Sequence, residues 1–263
     1  MKAVTINTLK VLKEHGEKFP VITAYDASFS RLIEQAGIEV ILVGDSLGNV
    51  IQGHDSTVPV TMDDMIYHTQ SVCRGNRQSL VIADMPFMAY ATEVQAMENS
   101  ALLMQAGANM VKLEGGAWLE ETVLMLTERG IPTCGHLGLT PQSVNKLGGY
   151  RVQGRDDDAA EQMIHDAHLL EDAGIDTLVL ECVPSALAKQ ITEELHIPVI
   201  GIGAGPDTNA QVLVIYDMLG LSPRPPAFVK NFLAESDDVG SALKAYADEV
   251  RSGAFPKPEH GFT

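Results

Sequence analysis

The sequence predicts an α/β fold, a (β/α)8 (TIM) barrel, on three observations. Short β-branched apolar runs alternate with longer amphipathic segments, the pattern of repeated βα units. Eight such runs are present. Four of them stop at an acidic residue, Asp45, Asp84, Glu114 and Glu181, in VILVGDS, LVIADMP, MVKLEGG and TLVLECV. Parallel strands of one sheet would deliver all four carboxylates to the same edge, where α/β proteins place their chemistry.

In chain order, residues 6–15 read as a helix covering the barrel bottom. Candidate strands follow at 21–24, 40–43, 80–83, 110–113, 132–134, 177–180, 199–202 and 212–215. Thr61 with Asp64, and Thr92 with Gln95, match capping boxes that open the helices through DDMIYHTQSVCR and EVQAMENSALLMQAG. Gly107, Gly130 and Gly174 fall near helix C-termini, where a left-handed backbone suits glycine, so AGA and AGI before strands are turn chemistry. One interval resists the barrel. Residues 203–211 are shorter than the usual crossover of about a dozen residues. Either the seventh crossover is shortened to a stub, or the eighth run is misassigned and the sheet is open. DDVGSALKAYADEVRSG reads as a closing amphipathic helix, followed by a polar, proline-containing tail.

At 263 residues the chain can bury a large core, and no Ser, Gly or Pro tract resembles an interdomain linker. One catalytic domain over 1–263, including the N-terminal capping helix and the C-terminal helix and tail, is the expectation. The net charge of −17 disfavours a nucleic-acid partner or an anionic membrane surface. Cys73, Cys134 and Cys182 have neither zinc-finger spacing nor an even count, and core thiols in a reducing compartment fit them. No stretch reaches the roughly 20 apolar residues of a transmembrane helix, and MKAVTINTLKVLKEHG has no signal-peptide core. A cytoplasmic protein is expected.

Ionised acids crowded on one rim repel one another and lose hydration, a cost that a divalent cation would offset. Asp45 in Gly44-Asp45-Ser46-Leu47-Gly48 has glycines that admit a ligand and a serine that can donate a hydrogen bond; alone, it reads equally well as a strand-end cap. Asp84 repeats the arrangement one strand later. Paired carboxylates suit Mg²⁺ better than zinc, which prefers His or Cys. Lys112 and Glu114 are two residues apart, hence on one face of a strand, where the lysine could meet a substrate carboxylate or form a Schiff base and the glutamate could hold a metal-bound water. A structural ion pair is the competing reading. His136 could bind an anionic oxygen or shuttle a proton, or simply hydrogen-bond a carbonyl. His54 sits on a polar loop and could position it. Glu181, beside Cys182 and Val183, is the base candidate, with helix capping near Ser185 as the plainer role. Gly201-Ile202-Gly203-Ala204-Gly205 lacks the dinucleotide-binding order and reads as room and backbone amides at a barrel mouth. The loop from Gly148 to Arg155 carries two arginines and suits gating, anion contact or an oligomer contact.

TAYD at 23–26, VGDSLGNVIQGHDST at 43–57, ADMPFMAY at 83–90, VKLEGG at 111–116, GHLGLTPQS at 135–143, LECVP at 180–184 and IGIGAG at 200–205 closely resemble the ketopantoate hydroxymethyltransferase family over nearly the whole chain. The resemblance implies a barrel that assembles into a large homo-oligomer, commonly a decamer. It implies transfer of the one-carbon unit of 5,10-methylenetetrahydrofolate to 3-methyl-2-oxobutanoate, giving 2-dehydropantoate for pantothenate and coenzyme A biosynthesis. Carried over residue by residue, Asp45 and Asp84 would bind Mg²⁺ with Glu114 supporting its shell. Ser46, Lys112 and His136 would contact the ketoacid together with Asp45 and Asp84, and Glu181 would be the base. The folate-contacting residues are not implied. The shortened seventh crossover lies inside the matched region, which favours a truncated helix over an open sheet. Competing readings are an isocitrate-lyase-like or class II aldolase carbon–carbon lyase, a Schiff-base aldolase using Lys112, and a noncatalytic metabolite-binding protein.

Overall fold

A computed structural model describes residues 3–263. Eight parallel strands form a closed barrel in chain order: β1 (Phe19–Thr23), β2 (Val40–Val43), β3 (Leu80–Asp84), β4 (Met110–Glu114), β5 (Thr133–Gly138), β6 (Thr177–Glu181), β7 (Val199–Ile202) and β8 (Ala210–Leu213). The open-sheet alternative is removed by β8, which pairs with β1 from Phe19↔Ala210 to Ile22↔Leu213. The helices are α1 (Ile6–Glu14), α2 (Ala27–Gln35), α3 (Leu47–Val50), α4 (Met62–Gly75), α5 (Glu93–Gln105), α6 (Glu120–Glu128), α7 (Val144–Leu147), α8 (Asp157–Ala173), α9 (Ser185–Glu194), α10 (Ile215–Met218) and α11 (Val239–Ser252). None is long and apolar enough to cross a membrane among the described residues.

Period-two alternation divides each strand between two cores. Val21, Leu42, Ile82, Met110, Cys134, Val179, Ile200 and Val212 point inward and pack together, whereas Ile22, Ile41, Val81, Val111, Leu178 and Leu213 pack outward beneath the helices. α1 closes the bottom as expected: Leu9 is buried in the interior cluster, with Val4, Ile6 and Leu12 against it. Lys13 fastens this plug by donating to the carbonyls of Thr192 at 3.0 Å and Ile197 at 2.7 Å.

The helix starts follow the sequence signals. Thr61 makes both bonds of its box with Asp64, while Thr92 supplies the forward bond from Gln95 N at 3.3 Å. Gly107, Gly130 and Gly174 all have positive φ. The seventh crossover contains no helix. Its polar groups are satisfied by side chains instead: Lys18 donates to the carbonyls of Pro206 and Thr208, Gln211 to Gly205 O, and Asn209 accepts from Val199 N. The eighth strand lies two residues earlier than the 212–215 run, because its register against β1 starts at Ala210 and Ile215 already opens α10. Strand β5 runs on through Gly138, beyond the expected 132–134, despite two glycines of low β-propensity.

On the outside, α11 sets Tyr246 against the closure seam, where its hydroxyl contacts the carbonyls of Val21 and Gln211, both at 2.8 Å. Beyond α11 the chain returns to the upper rim. Phe262 forms a parallel bridge with Pro184, and its carbonyl accepts from Ser185 N at 2.9 Å.

Candidate active site

The inward phase of β3, β4, β5 and β6 continues past the apolar interior into a polar layer at the carboxyl end. Ile82 is followed inward by Asp84, Met110 by Lys112 and Glu114, Cys134 by His136, and Val179 by Glu181. Lateral register then sets neighbours: Asp84 is the Cα partner of Lys112, and Glu114 of His136. Asp45 joins from the turn after β2. Gly44 permits this crowding, since a Cβ there would lie 2.7 Å from Ser46 Oγ and 3.7 Å from Asp84 Oδ2.

Lys112 is 3% exposed, with Nζ 3.0 Å from Asp84 Oδ1 and 3.6 Å from Glu114 Oε1. His136 Nδ1 lies 3.3 Å from Glu114 Oε1, and its Nε2 faces Glu181 Oε2 at 3.3 Å. Asp84 Oδ2 accepts from Asp45 N at 3.0 Å. Ser46 Oγ meets the Tyr25 hydroxyl at 2.9 Å. Glu181 does not cap α9, whose N-cap is Pro184 without a side-chain bond, and its carboxylate is turned to His136.

Burial and the charges of Glu114 and Asp84 hold the Asp45 carboxyl well above the usual carboxylate range. Burial also raises Asp84, against the pull of Lys112. Glu114 is lowered, because Lys112 and His136 overcome the effect of burial. Burial opposes protonation of Lys112, yet Asp84, Glu114 and Asp45 together lift it well above its ordinary value. Lys112 therefore holds its proton and lacks the free lone pair that a Schiff base needs. Burial and Lys112 likewise oppose protonation of His136, but Glu114 and Glu181 outweigh them and raise it to about 9.

Four carboxyl groups thus face one lysine and one histidine, an acid excess that favours a further cation. Asp84 Oδ1 is buried and has no directed hydrogen-bond donor despite the nearby ammonium, leaving a lone pair for a hard ion. Glu114 is more occupied: its Oε1 faces Lys112 and His136, and its Oε2 accepts from Gln142 N at 3.1 Å. Among the described residues no three His, Cys, Asp or Glu side chains converge as a complete metal cage.

Three polar residues here carry no signal that sequence reasoning isolates. Gln142 Nε2 bridges Asp45 Oδ2 and Met85 O, both at 2.9 Å, while its Oε1 accepts from the Tyr90 hydroxyl. Tyr90 also accepts from Glu114 N at 3.2 Å. Tyr25 anchors Ser46. All three are uncharged, Tyr25 and Tyr90 coming from loops and Gln142 from a single 3-10 turn (Pro141–Ser143), although each lies inside a motif quoted above. By contrast His54 is exposed and apart from the cluster, with its carbonyl accepting from Asn49. The glycine run at 201–205 corrects the expectation of open room at the mouth. Its space is filled by Thr208 against Gly201, by Phe228 and Phe262 against Gly203, and by Ser185 against Gly205.

A closed parallel barrel with a buried acid, lysine and histidine cluster at the carboxyl ends of its strands defines an α/β-barrel enzyme acting on a small polar substrate. The ketopantoate hydroxymethyltransferase family model matches residues 3–258. A 3-methyl-2-oxobutanoate hydroxymethyltransferase of Cronobacter sakazakii is 61% identical over 263 residues, covering 100% of both chains. The protein of the same name from Marinobacter nauticus is 59% identical over 261 residues and 99% of each chain. Among solved structures, a phosphonomutase described from Burkholderia cenocepacia shares the fold with a TM-score of 0.63 at 15% identity, over 82% of this chain and 95% of that one. The chain belongs to the ketopantoate hydroxymethyltransferase family and is a one-carbon transferase.

Proposed function

We propose that Glu181 is the base in the reaction this chain carries out, transfer of a hydroxymethyl group from 5,10-methylenetetrahydrofolate to 3-methyl-2-oxobutanoate. The products are 2-dehydropantoate and tetrahydrofolate, in pantothenate biosynthesis. The observation that carries the residue assignment is the shared inward phase of Asp84, Lys112, Glu114, His136 and Glu181. Asp45 and Asp84 would hold Mg²⁺, with Glu114 supporting its shell from a position fixed by Lys112, His136 and Gln142. When bound, the cation would withdraw electron density from the ketone of a 2-oxoacid and acidify the adjacent C3–H.

The chain's own groups supply the rest. Lys112 and His136, both protonated, attract the ketoacid's anionic oxygens, and Ser46 offers a hydroxyl oriented by Tyr25. Glu181 takes the C3 proton, at the rim where its side chain is 15% exposed. Both bonds from the folate-borne carbon to folate nitrogens must break: water replaces one and supplies the hydroxyl oxygen, and C3 replaces the other to form the carbon–carbon bond. The two nitrogens take up one proton from that water and the one removed from C3. The test is solvent deuterium exchange at C3 of 3-methyl-2-oxobutanoate before folate is added. Exchange should require Mg²⁺ and be lost in Glu181→Gln; normal exchange in that variant would refute the base.

The same reading takes residues 1–263 as one catalytic unit in a homo-oligomer, with a decamer as the specific expectation. Exposed Tyr67, Val94, Leu102 and Leu221 supply apolar surface for assembly. Sedimentation would give the stoichiometry. Three free cysteines support a cytoplasmic setting.

A further inference from the structure

The one-carbon donor is far larger than the ketoacid, so part of it must rest on the barrel rim while its reactive carbon reaches Glu181. We propose that the reduced folate lies across the rim with its pterin stacked on Trp118 and its glutamyl carboxylates at the cationic loop that follows α7. This rests on the function proposed above and assigns a subsite that the motif residues leave open.

Trp118 is 62% exposed, yet it is held in place. Its indole stacks on Tyr90 with centroids 6.0 Å apart and planes 13° from parallel. It folds back over Gly115, where φ is +146° and a Cβ would lie 2.4 Å from Nε1. Tyr90 in turn bonds Gln142, which bonds Asp45. The indole is therefore a braced, solvent-facing plate joined to Asp45 through two side chains, Tyr90 and Gln142. The loop after β3 that carries Tyr90 also exposes Phe87 and, at a φ of 62°, Met88. A flat heteroaromatic ring gains stacking and apolar contact on such a surface.

From the neighbouring strand β5, the loop after α7 reaches the end of β6, where Gln153 N donates to Cys182 O at 2.9 Å, beside Glu181. Tyr150 on this loop is 56% exposed, yet the charges of Glu181, Asp45 and Glu114 join partial burial in raising its hydroxyl. Ahead of the exposed Asp156, Asp157 and Asp158 that open α8, in a chain of net charge −17, Lys146 in α7 and Arg151 and Arg155 on the loop place three exposed cations within ten residues. Such a cluster complements the carboxylates of a folate tail and steers an anion toward an otherwise repulsive surface. The plate follows β4 and the cations follow β5, the adjacent strands that carry Glu114 and His136 as register partners.

Trp118 is the chain's single tryptophan, so its emission reports this surface alone. In the full-length protein, tetrahydrofolate should quench that emission saturably, after correction against free N-acetyltryptophanamide. Trp118→Ala should raise KM for 5,10-methylenetetrahydrofolate about tenfold relative to KM for the ketoacid, the change that about 1.4 kcal/mol of lost stacking produces. Trp118→Phe should recover most of it. Arg151→Gln with Arg155→Gln should raise the same constant and flatten its salt dependence. An unchanged folate KM in Trp118→Ala, or emission indifferent to tetrahydrofolate, overturns the subsite. So does dissociation of the oligomer by Trp118→Ala with folate KM intact, which would make the indole a contact between copies. Absence of C3 exchange in the parent protein would instead overturn the proposed reaction, while quenching would still judge the folate surface.

Discussion

Asp84 and Lys112 are direct register partners across β3 and β4, and their side chains meet at 3.0 Å inside the barrel mouth. The pair joins the apolar interior to the chemistry above it. Below Lys112 lies Met110 and beside it on β5 its register partner Cys134, both apolar, so the ammonium cannot retreat toward water and is kept charged by the acids around it. A slip of one residue in either strand would send one partner under the helices and leave the other buried without its counter-charge.

Removing the acid tests this relationship. Asp84→Ala should weaken Mg²⁺ binding at least about tenfold, as measured by calorimetry, a loss consistent with one missing charged oxygen ligand. An unchanged Mg²⁺ dissociation constant would count against Asp84 as a ligand.

Glu181→Gln should keep Mg²⁺ and ketoacid binding but slow C3 exchange by about 10²-fold or more, the usual scale of a lost general base. Hydrogen exchange followed by NMR reads it directly. A variant that exchanges normally would move the base to another residue.

In Mg²⁺-free protein the His136 imidazole should titrate near pH 9, seen in its ring-proton shifts. The folded value lies above the ordinary 6.5, so the associated stabilisation is complete below about 6.5 and is lost as pH rises through about 9. Denaturant midpoints should fall across that window in the parent and less in His136→Asn. A midpoint at or below 6.5 would contradict the ion pairing described here.

Gln142→Leu should destabilise the fold by about 1–3 kcal/mol, because Met85 O and Asp45 Oδ2 each lose a buried donor. Urea unfolding would measure it. Neutral stability would mean that water replaces the amide at both acceptors.

Deleting residues 261–263 should lower C3 exchange several-fold while Mg²⁺ affinity is kept, since Phe262 braces the turn after Glu181 and contacts no acid of the cluster. Equal rates in the two proteins would show that the turn holds its shape unaided.

Much of this was legible in the chain because β-strands alternate. Once Val40–Val43 or Leu80–Asp84 is recognised as a strand, the face of every residue in it follows, and an acid in phase with interior valines must enter the mouth. Gln142 and Tyr90 escaped for the opposite reason: one acts from a three-residue 3-10 turn and the other from a loop, both too short or irregular to show a period, and neither carries a charge. The glycine run at 201–205 misled because a missing side chain signals close approach without saying by what. Here the visitors are Phe228 and Phe262, distant in sequence. The helix-free seventh crossover was visible as a shortage of residues, but its replacement by Lys18, Asn209 and Gln211 bonds depends on contacts that only the closed barrel creates.

The grip of Phe262 on Ser185 spans 77 positions. A ribosome that has already released all eight strands has still not delivered the segment that steadies the turn beyond Glu181. Proton abstraction at full rate would then arrive after the barrel can close, and only when Phe262 docks.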